Sequence, residues 1–324
     1  MKPIFQLLAL AVAAGAFAAG AAAQDFPTRI MRLIVPYTPG GPTDIHARVV
    51  AQKLTEAWGQ PVVVENRPGA AGMIGTELAA QAPADGYTLC TAGVTFSTAQ
   101  LLNPKMHFSP TRDLTPVALL GAVPNILVVH PSLPVRSVKA LIAFARARPK
   151  DLLYPTGGVG GVQSLAGAYF EHLTATRMVA VQYKGSLPGI TALVAGEMSV
   201  GFTDLITTLP HTEAGKLRLL AVTSLKRSPI TPQTPTVAES GVPGFNVTAW
   251  FGLVTRTGTP PAIIDKLNRE ILRILQQPET RTRIMRMGSE PGTLSPAEFG
   301  KFVSAETRKW ARVVEAAGFR NVKR

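Results

Sequence analysis

The sequence predicts an α/β fold in two similar halves. Three observations carry that prediction. β-branched runs alternate with stretches of helical period along the chain, a glycine loop joins a strand to a helix in each half, and 324 residues suffice for two domains of roughly 100 to 200 residues. Strands that alternate with helices imply a mainly parallel sheet in each half.

The first element is the apolar run Ile30, Leu33, Ile34 and Val35, short, β-branched and closed by Pro36, which reads as a buried strand. The loop Tyr37-Thr38-Pro39-Gly40-Gly41-Pro42-Thr43-Asp44 follows. Ala47, Val50, Leu54 and Trp58 then mark the apolar face of a helix opening near Thr43, with Pro42 at its first turn. Gly40 and Gly41 leave backbone N–H groups uncovered by side chains, and the helix start adds unpaired N–H groups and the positive end of the peptide dipole. This combination favours an anion, although a single loop of the kind also serves as a plain connection. Asp44 suits the first helical turn electrostatically, with Arg48 four residues on.

Pro61 to Val64 reads as a strand, Glu65 to Gly72 as a loop and Thr76 to Ala82 as a helix, before the turn Asp85-Gly86 and a strand from Tyr87. The stretch Gly93 to Thr98 follows as a loop with three hydroxyls. Ligands gather outside the carboxyl ends of strands in open α/β sheets, so Thr95 and Ser97 become candidate contacts. Val117 to Leu120 and Ile126 to Val129, separated by Gly121 and Pro124, form an extended crossover into the second half.

That half repeats the pattern. A helix spans Val138 to Ala147, and a strand at Leu152 to Pro155 leads into Thr156-Gly157-Gly158-Val159-Gly160-Gly161. A helix opens near Gln163, with Leu165, Tyr169 and His172 or Leu173 on one face. Strands at Val179 to Val181 and Ser199 to Phe202 flank a helix from Pro188 to Ala195, and the second strand ends at Asp204, an acid placed to accept hydrogen bonds at a cleft or to cap the next turn. Leu217 to Val222 and Ala249 to Val254 read as returning strands around the proline-rich loop Ser228 to Pro235. A helix from Pro260 carries Ile264, Leu267, Ile271 and Ile274, and Ser295-Pro296-Ala297-Glu298 is a capping box for a last helix that buries Phe299, Phe302, Trp310 and Val314. Two glycine loops facing each other would hold the two ends of a small carboxylated molecule.

The N-terminus reads as an export signal: Lys2, an apolar stretch from Ile4 to Ala19, and small residues at Ala21 to Ala23, with cleavage after Ala23. The stretch is short of the roughly 20 apolar residues a membrane span needs. Cleavage leaves 301 residues and lowers the formal charge from +13 to +12. Cys90, the only cysteine, lies in a strand and reads as a buried inert thiol, so no internal disulfide forms. The positive charge does not indicate nucleic acid. Arg146, Arg148 and Lys150, Arg281, Arg283 and Arg286, and Lys309 and Arg312 occupy helix surfaces without interleaved aromatics.

Motifs for catalysis are absent. There is no His-Glu-x-x-His, no Cys/His grouping, no Gly-x-Ser-x-Gly and no phosphate-binding Gly-x-x-x-x-Gly-Lys; the dinucleotide pattern beginning at Gly158 breaks at Gln163. The histidines are scattered and read as surface or capping residues. The sequence therefore predicts a non-enzyme without metal or cofactor.

Several long stretches in order resemble one family, the Bug receptors, which are periplasmic solute-binding receptors of tripartite tricarboxylate transporters. They are Leu33 to Asp44, Gly59 to Ala70, Ala84 to Leu89, Val181-Gln-Tyr-Lys-Gly185, Ala214 to Arg218 and Pro235 to Gly241. The resemblance implies the two-domain periplasmic-binding-protein type II fold, with residues 24–122 and 249–324 in one domain and 123–248 in the other, closing on a small carboxylate. It implies a monomer that serves integral membrane transporter subunits. The site residues it implies are Tyr37, Thr38, Pro39, Gly40, Gly41, Thr43 and Asp44, then Gly157, Gly158, Gly160, Gly161 and Ser164, with Thr95, Ser97 and Asp204 around them. Where relatives have serines and a histidine after the second loop's glycines, this chain has Gly160, Gly161 and Ser164. Tyr37 stands where phenylalanine is common. The rival functions are a sensory receptor with the same site, a secreted hydrolase, and the effector domain of a transcription regulator, which the export signal and the lack of a DNA-binding helix pair argue against.

Overall fold

The computed structural model describes residues 26–157, 160–183 and 185–316. The chain begins with β1 (Met31–Val35), α1 (Pro42–Trp58) and β2 (Val62–Asn66), passes a short 3-10 turn (Ala70–Gly72), and continues through α2 (Met73–Ala80), β3 (Thr88–Ala92) and α3 (Val94–Leu102). β1 lies between β2 and β3, parallel to both, with Met31 opposite Val62 and Leu33 opposite Leu89. Leu33, Ile34, Val35, Leu89 and Cys90 are fully buried. Burial also pushes the Cys90 thiol up to about 12, as suits an inert core residue.

After the one-turn α4 (Pro110–Asp113), the crossover is a single 16-residue strand, β4 (Leu114–Val129). Gly121 and Pro124, expected as interruptions, sit inside it. Proline and glycine here mark irregularity in a continuous ladder. The pairing of β4 with β9 (Thr248–Arg256) shifts register between Pro116 and Ala118 and again between Leu119 and Gly121.

The second half comprises α5 (Val138–Ala147), β5 (Leu153–Thr156), α6 (Val162–Thr174), β6 (Val179–Gln182), α7 (Ser186–Val194), β7 (Val200–Asp204), α8 (Leu205–Glu213) and β8 (Arg218–Val222). β5 and β6 are parallel, and the Ser199 N–H joins β5 to the start of β7 through the Leu153 carbonyl. β9 returns, followed by α9 (Pro261–Gln276), α10 (Pro278–Arg286), the two-residue β10 (Glu290–Pro291) and α11 (Pro296–Ala316).

Pairing is mixed where a mainly parallel sheet was expected. β1, β2 and β3 are parallel, as are β5 and β6, but β9 runs antiparallel to β3 and β4, and β4 runs antiparallel to β7 and β8. The reason is the connectivity. β4 pairs with β9 over Leu114 to Pro124 and with β7 and β8 from Asn125 onward, so one long strand enters both sheets and opposes the strands it meets.

The last helix joins the halves. Its capping box forms, with the Ser295 N–H donating to Glu298 Oε2 at 2.9 Å and the Glu298 N–H to Ser295 Oγ at 3.3 Å. Phe299, Trp310 and Val314 are fully buried, and α11 packs on both α3 and α6. Phe299 meets Trp250 edge-on at 5.8 Å, and Trp310 meets Tyr169 at 6.3 Å.

Candidate functional site

The first loop is braced from beneath by Asp44. Its carboxylate, 2% exposed, accepts from the Gly40 N–H at 3.0 Å, Arg48 Nε at 2.9 Å and Asn66 Nδ2 at 2.8 Å. Burial opposes its charge, but these donors outweigh burial and hold the carboxyl below its usual range. Asn66 also donates to the Tyr37 carbonyl at 3.1 Å. Thus Asp44 shapes the loop, and the Gly40 N–H, expected to face an anion, is already taken. The groups left are the N–H of Gly41 and the first-turn N–H groups of Thr43 and Asp44, which have no carbonyl partner within a helix. Gly40 has φ +83°, a conformation that side chains disfavour, whereas a Cβ on Gly41 would meet only the Thr38 carbonyl, at 3.9 Å. Thr38, Pro39 and Gly40 are exposed.

His46 corrects the expectation of surface histidines. It is 1% exposed, stacks on Phe251 at 4.5 Å and bonds the Pro42 carbonyl through Nδ1 at 2.7 Å. Burial pushes its pKa down.

The expected hydroxyl loop after β3 is instead the first two turns of α3, with Gly93 as N-cap. Local hydroxyl-rich sequence favours caps and turns, but Phe96 and Ala99 supply a buried helical face that decides the matter. Helix geometry turns Thr95 towards Tyr37, whose hydroxyl hydrogen-bonds Thr95 Oγ1. Burial raises the phenol's pKa, so the pair is neutral. Ser97 is buried, and its hydroxyl has no partner among the described residues.

The second loop closes against α3. Gly160 has φ +81°, and a Cβ there would fall 2.2 Å from Leu102 Cδ1 and 3.9 Å from Thr98 Oγ1. Gly157 is exposed, Gly161 is the N-cap of α6 and Ser164 is buried in the first turn. Gly158, Val159 and Lys184 lie outside the described residues. Gly157 adjoins the start of α7, where its Cβ would stand 3.5 Å from the Gly185 carbonyl carbon. Thr156, Gly157, Gln163, Gly185, Ser186 and Thr203 enclose a cavity of about 10 Å³, the room of a single water.

Asp204 is N-cap of α8 but makes no side-chain cap bond, which removes the capping alternative. Burial pushes its carboxyl pKa up, and the neighbouring Ser186 side chain and its own backbone N–H offset part of that rise.

Five helix starts therefore follow the carboxyl ends of β1, β3, β5, β6 and β7. Their N-caps are Gly41, Gly93, Gly161, Gly185 and Asp204, none with a side-chain cap bond. Elsewhere α5 is capped by Ser137, α9 and α10 open on proline, and α2 also begins on a glycine, Gly72, without a side-chain cap bond. Contacts link the five in sequence: Tyr37 with Thr95, Gly160 with α3, Gly157 with Gly185, and Ser186 with Asp204. Such a ring of free N–H groups and positive dipole ends can hold small anions. Among the described residues no cluster of histidine, cysteine and acidic side chains could hold a metal, and no helix is long and apolar enough to cross a membrane.

Comparison with known proteins adds the family. The model of the tripartite tricarboxylate transporter family receptor matches residues 46–319. Protein BugT of Bordetella pertussis is 36% identical over 320 residues, 98% of each chain. An R. palustris protein solved with adipate has a TM-score of 0.81 and 39% identity, covering 91% of this chain and 99% of that one. MatC from Rhodopseudomonas palustris, with bound malate, has a TM-score of 0.78 and 31% identity, covering 89% and 100%. The likeness covers nearly the whole chain, so this chain belongs to the tripartite tricarboxylate transporter receptor family and has the two-domain α/β fold of periplasmic solute-binding proteins.

Proposed function

We propose that this chain is a periplasmic receptor that captures a small carboxylate between its two domains and delivers it, as a monomer, to integral membrane transporter subunits. The observation that carries the reading is the ring of five strand-end helix starts, four of them on glycine, none closed by a side-chain cap. Loop one, through Gly41, Thr43 and Asp44 N–H, takes one end of the ligand, with Tyr37, Thr38, Pro39 and Gly40 forming its wall. Thr95 and Ser97 line the side, and Gly157, Gly158, Gly160, Gly161 and Ser164 close over the other end.

The ligands of the two structural relatives, adipate and malate, are both carboxylates. Members of the family are substrate-binding receptors, and no bond is made or broken in this role. Family receptors are periplasmic, which agrees with export through residues 1–23 and cleavage after Ala23. We place the hinge where β4 changes partners, between Pro124 and Asn125, and where β9 begins at Thr248, within two residues of the boundaries 122/123 and 248/249. Stronger binding by the closed form would drive closure.

The test is a thermal-shift and calorimetry screen of the chain from Gln24 onward against carboxylates, amino acids and neutral sugars. At a hundredfold excess over its dissociation constant, a ligand specific to the folded state adds about 2.7 kcal/mol of stability. Shifts confined to carboxylate-bearing compounds are expected; shifts with neutral sugars alone would overturn the reading.

A further inference from the structure

We propose that Ile206 is a positioning residue for ligand capture: with Ile230 it seats on the turn at Gly288 and favours the closed arrangement of the two domains, without selecting among ligands. This rests on the receptor reading above and goes beyond it by assigning part of the closing free energy to a contact between the domains. Gly288 follows the last turn of α10 with φ +72°, a conformation usual for the residue after a helix, where asparagine also occurs. Packing makes a stricter demand. A Cβ at Gly288 would fall 2.7 Å from Ile206 Cγ1, 3.0 Å from Ile206 Cδ1 and 3.5 Å from Ile230 Cδ1. Both isoleucines lie within 123–248 and Gly288 within 249–324, so the contact crosses the domain boundary proposed above.

The turn is a firm seat. The Met287 N–H donates to the Ile284 carbonyl at 3.0 Å and the Gly288 N–H to the Met285 carbonyl at 2.9 Å, and just beyond them β10 pairs with β4 at Gly121 and Ala122. Facing it, Ile206 stands in the first turn of α8, two residues after the cross-strand partner of Asn125. Ile230 belongs to the proline-rich loop, and its N–H donates to Ser228 Oγ at 3.2 Å. Among the described residues neither isoleucine is part of a hydrophobic core, whereas Leu205 and Leu209 of the same helix pack with Ile126 and Leu193. Ile206 is half-buried and Ile230 is 36% exposed. They therefore contribute little to the interior of their own half, and their apolar neighbour is the turn of the other.

The contact is made in the same structure that closes loop two on α3 through Gly160 and Leu102, so two crossings between the domains form together, each an aliphatic side chain set against a glycine. Rotation about the hinge between Pro124 and Asn125 moves β10 with one domain and α8 with the other, and so loosens the seat. Apolar surface covered only when the domains close favours closure whatever the ligand. Apparent affinity falls in proportion to the fraction of chain in the binding-competent form. Loosening the seat consequently scales every affinity by one factor and acts mainly on dissociation, which requires opening.

The experiment measures affinity by calorimetry and dissociation by stopped flow for adipate, malate and each further carboxylate that shifts the wild type in the screen above. Ile206→Ala should weaken all of them alike, about fivefold each, through faster dissociation, with the melting temperature without ligand nearly unchanged. Ile206→Val should recover most of the loss. Gly288→Asn, which tolerates the backbone conformation but adds a side chain at the seat, should reproduce the effect and serves if Ile206→Ala does not fold. Unchanged affinities would overturn the proposal, as would losses that differ between ligands, since Ile206 would then act on the ligand itself; in both cases the receptor reading stands. If no compound binds the wild type, the receptor reading falls and small-angle scattering decides alone. Ile206→Ala with Ile230→Ala must then enlarge the radius of gyration of the chain, and an unchanged radius overturns the seat.

Discussion

The two glycine loops, proposed above to hold the two ends of a ligand, are shaped by opposite means. Loop one is fixed from within: Asp44 ties together Gly40, Arg48 and Asn66, and Asn66 reaches the Tyr37 carbonyl, so the loop keeps its shape without a ligand. Loop two has no such brace among its described residues and takes its form from packing, Gly160 against Leu102 and Gly157 beside Gly185. One loop is preorganised, and the other is set by the approach of its neighbours. In the proposed receptor that closes on its ligand, this asymmetry would let the preorganised side bind first and the yielding side follow.

The comparison breaks most sharply at Gly41. A side chain there meets nothing but the Thr38 carbonyl and requires no unusual backbone, so Gly41→Val leaves the fold intact while covering the free N–H groups of α1. Ligand affinity should fall about a hundredfold, equivalent to about 2.7 kcal/mol, with little change in melting temperature without ligand. Gly40→Val is a poorer probe, because φ +83° penalises the side chain whether or not a ligand binds. Unchanged affinity in folded Gly41→Val would exclude loop one from the site.

Removing the brace should come next. Asp44→Ala strands the Gly40 N–H, the Asn66 amide and half-exposed Arg48, and should lower stability by about 3 kcal/mol and affinity by about tenfold. Asp44→Asn, which keeps the shape and one acceptor, should cost less in both. Urea unfolding beside calorimetry separates the two effects. An affinity loss without destabilisation would mean that Asp44 touches the ligand directly.

Much of this was legible in the sequence because proline and glycine punctuate it. Pro36, Gly41 and Pro42 mark the passage from β1 to α1, and Ser295 with Glu298 marks the start of α11. What stayed hidden depends on contacts distant in sequence. The capture of the Gly40 N–H requires knowing how the loop folds back on α1, and the continuity of β4 through Pro116, Gly121 and Pro124 is supplied by β9, well over a hundred residues later. Helix α8, which carries Pro210, was not read from the sequence, and α3 was read as a loop because of its threonines and serine.

A double-mutant cycle sharpens the account of loop two. Gly160→Ala should weaken binding about tenfold, partly from φ +81° and partly because its Cβ collides with Leu102. Leu102→Ala removes the collision but not the backbone strain, so the pair should recover only part of the loss. A coupling of about 0.5–1 kcal/mol would fit loop two closing on α3; strict additivity would mean that the two residues separate before the ligand binds.

The smallest effect concerns the floor of loop one. His46 has its pKa lowered by burial against Phe251, relative to about 6.5 for an unfolded chain. Above pH 6.5 the ring is neutral in both states, and its burial carries no protonation penalty. As pH falls below that value the unfolded chain takes up the proton first, so stability is lost progressively until the folded ring is protonated too. His46→Phe keeps an aromatic ring over Phe251 and removes the titration, at the loss of the Nδ1 bond to the Pro42 carbonyl. Between pH 7.5 and 5.5 the wild type should therefore lose up to about 1 kcal/mol more than the variant, read from urea midpoints at the two pH values. Equal losses would show that another group carries the acid sensitivity, and the preorganised loop would then have no pH dependence of its own.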